Sequence, residues 1–439
     1  KQEPEGGKLQ ERNSKWLNDD YVKFMRFGEY FIEKNGEGIL AYITNHGYLD
    51  NPTFRGMRWN LLRTFDYIYI INLHGNSNLN ESAPDGSLDE NVFDIKQGVC
   101  ISILVKTKKR ESSLAKVEYF DLYGSRQDKY KFLEMASIKN TKFVEVKPSK
   151  PYYYFTNKNM SHSSSFQKGF CLDELFKKYS TGYYTGRDDQ VIAFNGEELL
   201  QKISLSGIEP EADENLIRQT AFRPFDTRFI YYKDKLLKRS RAKFVNASAH
   251  QNNVFLLSGK SSKSQSINHF FVSRNFSELK CAEYSKGSYM FPLFYGETQS
   301  EHSFLAELEP NFNEQIIKQI QEKIGDYGTP LDLLDYVYAV LNSNNFRNKF
   351  HTFLKDYFPR IPYPRDVSTY RSLVALGGEL RALHLLEHPA LATPITSFPE
   401  SGDCAVDKVG KDSFREVKDG KGKVFLNKTQ YFAGVPEIA

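Results

Sequence analysis

The sequence predicts an α/β sheet region, then a β-rich region, then a helical C-terminal region. Three observations carry that fold class. Apolar residues recur at helical spacing over 16–34 and give way to short apolar runs at 39–44 and 67–73, as helices alternating with strands buried on both faces would do. Residues 218–296 hold short aromatic and β-branched pieces, FIYY, NVFLLS, HFFVS and SYMFPLFY, which suit strands. From about 311 the spacing turns helical in NEQIIKQIQEKI, LDLLDYVYAVLNS and FRNKFHTFLKDYF. A chain of 439 residues exceeds one ordinary core, so two or three domains are expected.

Taken in order, residues 1–14 read as a flexible lead-in. Trp16, Tyr21, Phe24, Phe27 and Phe31 form an aromatic stripe that a helix at about 16–34 should bury, and Gly36 and Gly38 stop that helix. Ile39, Leu40, Ala41, Tyr42 and Ile43 make a strand. Asn51-Pro52 turns the chain into a second helix, 53–64, and Tyr67–Leu73 is a second buried strand. A polar loop, 74–91, precedes strands at 97–106 and 117–122, and with no helix between them these two are expected to pair as a hairpin. Residues 127–178 read as a connector containing the Ser-rich patch SHSSS. Pro359, Pro362 and Pro364 interrupt the later helices, a further helix at about 368–387 ends before Pro389, and the tail 404–432 returns to strand-like pieces. The boundaries are therefore 1–126, 127–178, 179–310 and 311–439.

No apolar run approaches the roughly 18 residues of a membrane span, so no membrane partner is expected. The opening KQEPEGGKLQERN is polar, unlike a signal peptide, and lacks an initiator Met, which suggests further chain upstream. Cys100, Cys171, Cys281 and Cys404 are widely spread, which suits free thiols in a reducing cytoplasm. Net charge is +4, yet residues 223–263 alone carry ten Lys or Arg against two Asp, leaving −4 for the remainder. Such a segment suits a polyanion-facing surface as well as it suits a solvated face.

Several strings carry a family resemblance. Residues 15–49, KWLNDDYVKFMRFGEYFIEKNGEGILAYITNHGYL, resemble the stretch that follows the Asn-Pro-Pro-Tyr motif of adenine-specific DNA methyltransferases. Gly182–Asp189 (GYYTGRDD), 222–232 (FRPFDTRFIYY), 287–293 (GSYMFPL), 358–364 (FPRIPYP) and 427–436 (NKTQYFAGVP) resemble, in that order, the specificity half of type ISP and related single-chain restriction–modification enzymes. The resemblance covers nearly the whole chain. It implies that residues 1–126 are the distal half of a Rossmann-like methyltransferase domain. Residues 179–310 would then be a β-rich target-recognition domain, and 311–439 the helical part of the specificity region. It also implies methyl transfer from S-adenosylmethionine to adenine N6, with double-stranded DNA and the upstream part of the same polypeptide as partners. Asn-Pro-Pro-Tyr and a Gly-rich cofactor loop are both missing from the sequence, so activity of this chain alone is not expected.

The resemblance places Phe93, after the polar loop and just before the strand at 97–106, where an aromatic packs on an adenine swung out of the duplex. A core residue at a loop–strand junction is the competing reading. Asn45, His46 and Tyr48 follow a strand end, where α/β sheets bind ligands, but a plain turn through Gly47 is the better account of them. Arg187, Lys238, Arg239, Arg241, Lys243, Lys260 and Arg274 are the candidate DNA contacts, whereas Arg223 and Arg228, beside Asp226, suit internal ion pairs. A non-enzymatic DNA-specificity module is the alternative function. A zinc peptidase resting on His384-Leu-Leu-Glu-His388 is a third, but Leu383, Leu385, Leu386 and Pro389 look instead like the end of a packing helix. Ser258-Gly-Lys-Ser resembles the end of a phosphate-binding loop, but residue 254 is Val where that loop needs Gly.

Overall fold

The structure is a computed structural model. It describes all residues except 1, 10–13, 78–80, 82, 110–111, 159–161, 210, 212, 251, 263, 265, 297–307, 408, 411–412 and 438–439. Part of the expected lead-in, the first serine of SHSSS and the end of the expected β-rich domain thus lie outside the described residues. The chain divides into two units, Lys1–His162 and Ser163–Ala439.

In the first unit, α1 (Asp20–Asn35) ends at Gly36, whose left-handed backbone (φ 88) favours glycine. The aromatic stripe is not the buried face. Phe24, Phe27, Tyr30 and Phe31 are exposed, Phe27 by 64%. Met25 and Glu29 are buried instead, with Tyr21, Val22 and Ile32 packed on the core. Two stripes about one residue apart share the helical period, and tertiary partners choose between them. Glu29 tolerates burial because it pairs with Arg26 at 2.9 Å and accepts from Asn60 and Thr64 of α2 (Arg55–Thr64) at 2.6 and 2.7 Å.

Strands β1 (Gly38–Asn45), β2 (Tyr67–His74), β3 (Val99–Lys106), β4 (Lys116–Asp121) and β5 (Val144–Val146) form one sheet in the order β1-β3-β2-β4-β5. The expected hairpin of the third and fourth strands does not form. β3 runs antiparallel between β1 and β2, and β4 lies parallel to β2 on its far side. The return past β2 is fixed where Ala115 N–H donates to the Leu62 carbonyl at 2.8 Å. Nor is β1 buried on both faces: it stands at the sheet's end with Ile39 and Ile43 exposed. α3 (Arg126–Met135) and β5 continue this unit through the stretch expected to be a connector. β1, β2 and β4 are mutually parallel, so Asn45, His74 and Asp121 end on one carboxyl edge. The core holds Leu61, Leu62, Phe65, Ile68, Ile70, Cys100, Leu104 and Val117.

The second unit begins with α4 (Ser163–Gln167), β6 (Phe170–Cys171), α5 (Leu172–Leu175), β7 (Ser180–Thr181), α6 (Asp188–Val191), β8 (Ile192–Ala193) and α7 (Gly196–Leu205). β9 (Ile217–Arg223) and β10 (Asp226–Tyr231) form a hairpin that joins β8 in a three-stranded sheet. After α8 (Ala242–Asn246) come β11 (Phe255–Gly259), β12 (Phe270–Ser273) and β13 (Ser288–Pro292), in a sheet of order β12-β11-β13-β7. Val191, Ile192, Ile230, Tyr231, Phe255, Phe276 and Met290 share its core. Then follow α9 (Glu314–Ile324), α10 (Pro330–Asn342), α11 (Asn344–Lys349) and α12 (His351–Leu354), with β14 (Arg360–Ile361) pairing β6. α13 (Val367–His384) crosses α10 so closely that a Cβ on Gly377 would meet the Asp335 carbonyl at 1.9 Å. The helical region closes on a three-stranded sheet, β15 (Phe414–Lys418), β16 (Lys421–Phe425) and β17 (Tyr431–Pro436), at the place of the strand-like tail. No helix among the described residues is long and apolar enough to cross a membrane.

Candidate nucleic-acid interface

At the carboxyl edge of the first sheet, Asn45 caps the turn that follows β1, its Oδ1 accepting from Gly47 N–H at 2.7 Å. Tyr48 is buried with its hydroxyl 2.5 Å from Ser102 Oγ. Both residues therefore serve the turn and the core. His46 stays partly open, with Nδ1 3.0 Å from Asn72 Oδ1, and Gly98 packs against its ring so tightly that a Cβ there would lie 2.4 Å from Cε1. Sequence reading missed the group at the end of β2. His74 places Nδ1 2.7 Å from Glu81 and Nε2 2.7 Å from Asp121, and its ring stacks on Tyr123 at 3.9 Å. Burial alone would lower this imidazole, but the bonds to Asp121 and Glu81 outweigh it and raise it above its ordinary value.

Phe93 lies in the loop that leads into β3, and it is 44% exposed rather than buried in a core. Its N–H donates to Asn91 Oδ1 at 2.9 Å, while Asn91 Nδ2 donates to the Gly75 and Gln97 carbonyls at 3.1 and 2.7 Å. Arg126 at the start of α3 donates to the carbonyls of Asn91 and Phe93 and to Asp94. Below them, Lys129 and Asp89 form a wholly buried pair at 2.7 Å. Lys129 also donates to the Leu73 and Glu90 carbonyls, and Asp89 accepts from the N–H groups of Gly75 and Gly124. The backbone beside Phe93 is thus fixed to the end of β2 and the start of α3 while its ring faces out.

In the second unit, two segments about fifty residues apart meet. Tyr184 and Arg239 exchange backbone bonds at 2.8 and 3.0 Å, and Lys238 N–H donates to the Thr185 carbonyl at 3.1 Å. Lys238 Nζ and the Arg239 guanidinium lie 5.9 and 5.4 Å from the Tyr184 ring centre. Arg187, Lys238, Arg239 and Lys243 are all exposed, and among the described residues none is paired with a carboxylate. Arg241, also a candidate DNA contact, differs from these four in being partly buried. Its backbone is left-handed (φ 64), it donates to Thr181 at 2.7 Å, and its Nε is buried without a partner. Lys260 is exposed, 5.9 Å from the Phe358 ring. Arg274 is bound through Nε and Nη2 to Glu387, each at 2.8 Å. Arg228 pairs with Asp226 and Arg223 with Glu278, both at 2.8 Å, as internal ion pairs do.

The metal-like spacing does not build a site. α13 ends at His384, and Leu386 turns left-handed (φ 61), so His388 is not on that helix. His384 Nδ1 lies 2.5 Å from Tyr338 OH, and His388 caps Ala390 N–H. Among the described residues no group of three His, Cys, Asp or Glu could hold a metal. Ser258 and Gly259 end the buried strand β11 and do not form a phosphate loop.

Comparison with known proteins places this architecture. No curated protein matches the chain. Among solved structures it is similar to the DrdV–DNA complex, with 21% identity and a TM-score of 0.70 over 97% of this chain and 46% of that one. It is also similar to the ATP-dependent Type ISP restriction–modification enzyme LlaBIII bound to DNA, with 21% identity and a TM-score of 0.71 over 98% of this chain and 30% of that one. A nuclease-deletion mutant of the Type ISP enzyme LlaGI, in complex with a DNA substrate mimic, matches with 19% identity and a TM-score of 0.68 over 98% of this chain and 42% of that one. At these identities the likeness is one of fold, and this chain spans less than half of each. The family model for the Type ISP C-terminal specificity domain matches residues 200–439, more than half of the chain, which therefore belongs to that family.

Proposed function

We propose that the chain supplies DNA target recognition to a restriction–modification enzyme that transfers a methyl group from S-adenosylmethionine to adenine N6 in specific duplex sequences. The observation that carries this reading is the set of exposed cations with no carboxylate partner among the described residues, Arg187, Lys238, Arg239 and Lys243, of which Lys238 and Arg239 flank the Tyr184 ring. Cations free of internal carboxylates are available to neutralise phosphates. The solved relatives that share this fold are complexes with DNA or a DNA mimic.

The first unit is read as the distal part of a Rossmann-like methyltransferase sheet, with Phe93 offered at its carboxyl edge to an extruded adenine. Its residues do not by themselves make a site for S-adenosylmethionine. Among the described residues no Gly-rich loop follows a strand, and at the carboxyl edge His46 is bonded to Asn72 and His74 to Glu81 and Asp121. Cofactor binding and the Asn-Pro-Pro-Tyr chemistry are assigned to an upstream part of the same polypeptide. The outer edge of β1, unpaired among the described residues, and the exposed aromatics of α1 support that assignment, because strand edges and apolar patches of this kind are ordinarily covered. A cytoplasmic setting follows from action on DNA.

The test compares this chain alone with the same chain joined to a part bearing Asn-Pro-Pro-Tyr. Alone, it should retain duplex DNA and transfer no labelled methyl group. Joined, it should methylate adenine. DNA binding without methylation in the joined form would favour the second reading, a non-enzymatic specificity module, which the free cations support equally.

A further inference from the structure

We propose that a groove lined by side-chain amides in the Ser163–Ala439 unit reads base edges of duplex DNA. This rests on the DNA-recognition reading above and adds where the sequence would be read. The groove, about 620 Å³, lies between β9, the end of α8 and the loops at 252 and 274–276. Asn215, Gln219, Asn246, Asn252 and Asn275 all line it. A side-chain amide presents donors and an acceptor side by side, which matches N6 and N7 of adenine in the major groove. Phosphate positioning calls for free cations instead, and the two arginines here are already engaged. Arg218 donates to the Asn215 carbonyl at 2.8 Å and to Asn246 Oδ1 at 2.9 Å. Arg274 holds Glu387 and donates to the Asn252 carbonyl at 2.9 Å. These arginines stiffen the walls, while the side chains of Asn215, Gln219 and Asn275 have no hydrogen-bond partner among the described residues. Free amides on a braced frame are what base readout needs.

Continuity with the cationic surface is the second observation. Lys243 and Asn246 lie one turn apart on α8, on the same side of that helix. A duplex whose phosphates rest on Lys238, Arg239 and Lys243 would bring neighbouring base edges to the amides.

The experiment incubates the whole chain with a pool of duplexes randomised over a central segment and sequences what it retains. The unaltered chain should enrich a motif. The double variant Gln219→Ala with Asn275→Ala removes no internal bond. It should keep the salt dependence of binding but lose discrimination at one or more base positions, by roughly 10- to 100-fold for each bidentate amide–base pairing abolished. Asn275→Asp keeps the shape and replaces the donor, so it should move the preference at its position from adenine toward cytosine. Variants that enrich the unaltered motif at unaltered ratios would overturn the proposal and leave DNA recognition standing. So would an unaltered chain that retains the pool with no motif enriched. Failure of the unaltered chain to retain any duplex would overturn both readings.

Discussion

At Phe93 the backbone is tied on both sides, by Asn91 and by Arg126, while the ring remains exposed. That arrangement suits a side chain that meets its partner only when a base leaves the stack. If the chain acts in a methyltransferase as proposed, Phe93→Ala in the joined protein should weaken capture of the extruded base by about 1–3 kcal/mol, the usual worth of base–aromatic stacking. Fluorescence of 2-aminopurine at the target position reads this directly, and duplexes abasic at that position should bind the variant as well as the unaltered protein. Arg126→Ala should produce part of the same loss with the ring intact. If Arg126→Ala leaves the fluorescence unchanged, the clamp is not what positions Phe93. The resemblance pointed to Phe93 ahead of the strand it precedes, but its clamp was not legible, because Asn91 and Arg126 are separated by two strands. Arg241 shows the same limit: nothing in KRSRAK distinguishes the arginine that turns inward to Thr181 from its neighbours.

Among the elements, the sheet's carboxyl edge depends on two buried charge sets. Lys129→Met leaves Asp89 buried without its cation, and removing one partner of a buried pair costs about 3–5 kcal/mol. Urea denaturation should show that loss, whereas one nearer the ~0–1 kcal/mol of a surface pair would mean that water replaces the lysine. His74 gives a pH test. Its folded value is raised, so its contribution is fully present below its ordinary value of 6.5 and fades as pH rises through the folded value. Burial pushes Glu81 up, but its bond to His74 prevails and holds it below its ordinary 4.5, so its contribution fades on the acid side. The melting-temperature gap between the unaltered chain and His74→Gln should therefore be widest near pH 5–6 and narrow toward pH 9. A gap that widens toward pH 9 would contradict the assignment. Helices α1, α2 and α9 to α13 and most strands could be read from periodicity. Strand order could not, since β3 finds β1 and β2 through register spanning tens of residues. The buried face of α1 could not either, because both of its stripes suit a helix until Asn60 and Thr64 accommodate Glu29.

Over the whole molecule, charge is the property that connects sequence to function. A chain of net +4 concentrates its excess in 223–263, and the structure sorts that excess into paired and free cations. Arg223, Arg228 and Lys233 stabilise their own surroundings through Glu278, Asp226 and Glu211. Lys238, Arg239 and Lys243 are left for a partner, joined by Arg187 from a distant segment. Counting charges showed the segment, and only the fold could separate its two roles. The most direct test of DNA recognition is the salt dependence of duplex binding by this chain, set against the triple variant Lys238→Ser, Arg239→Ser, Lys243→Ser. The affinity of the unaltered chain should fall with salt at a logarithmic slope of about −0.9 per phosphate neutralised. The triple variant should bind more weakly, with a slope shallower by about one unit for each phosphate it no longer neutralises. Equal affinity and equal slope for the two proteins would contradict the account and leave this surface without a role in holding DNA.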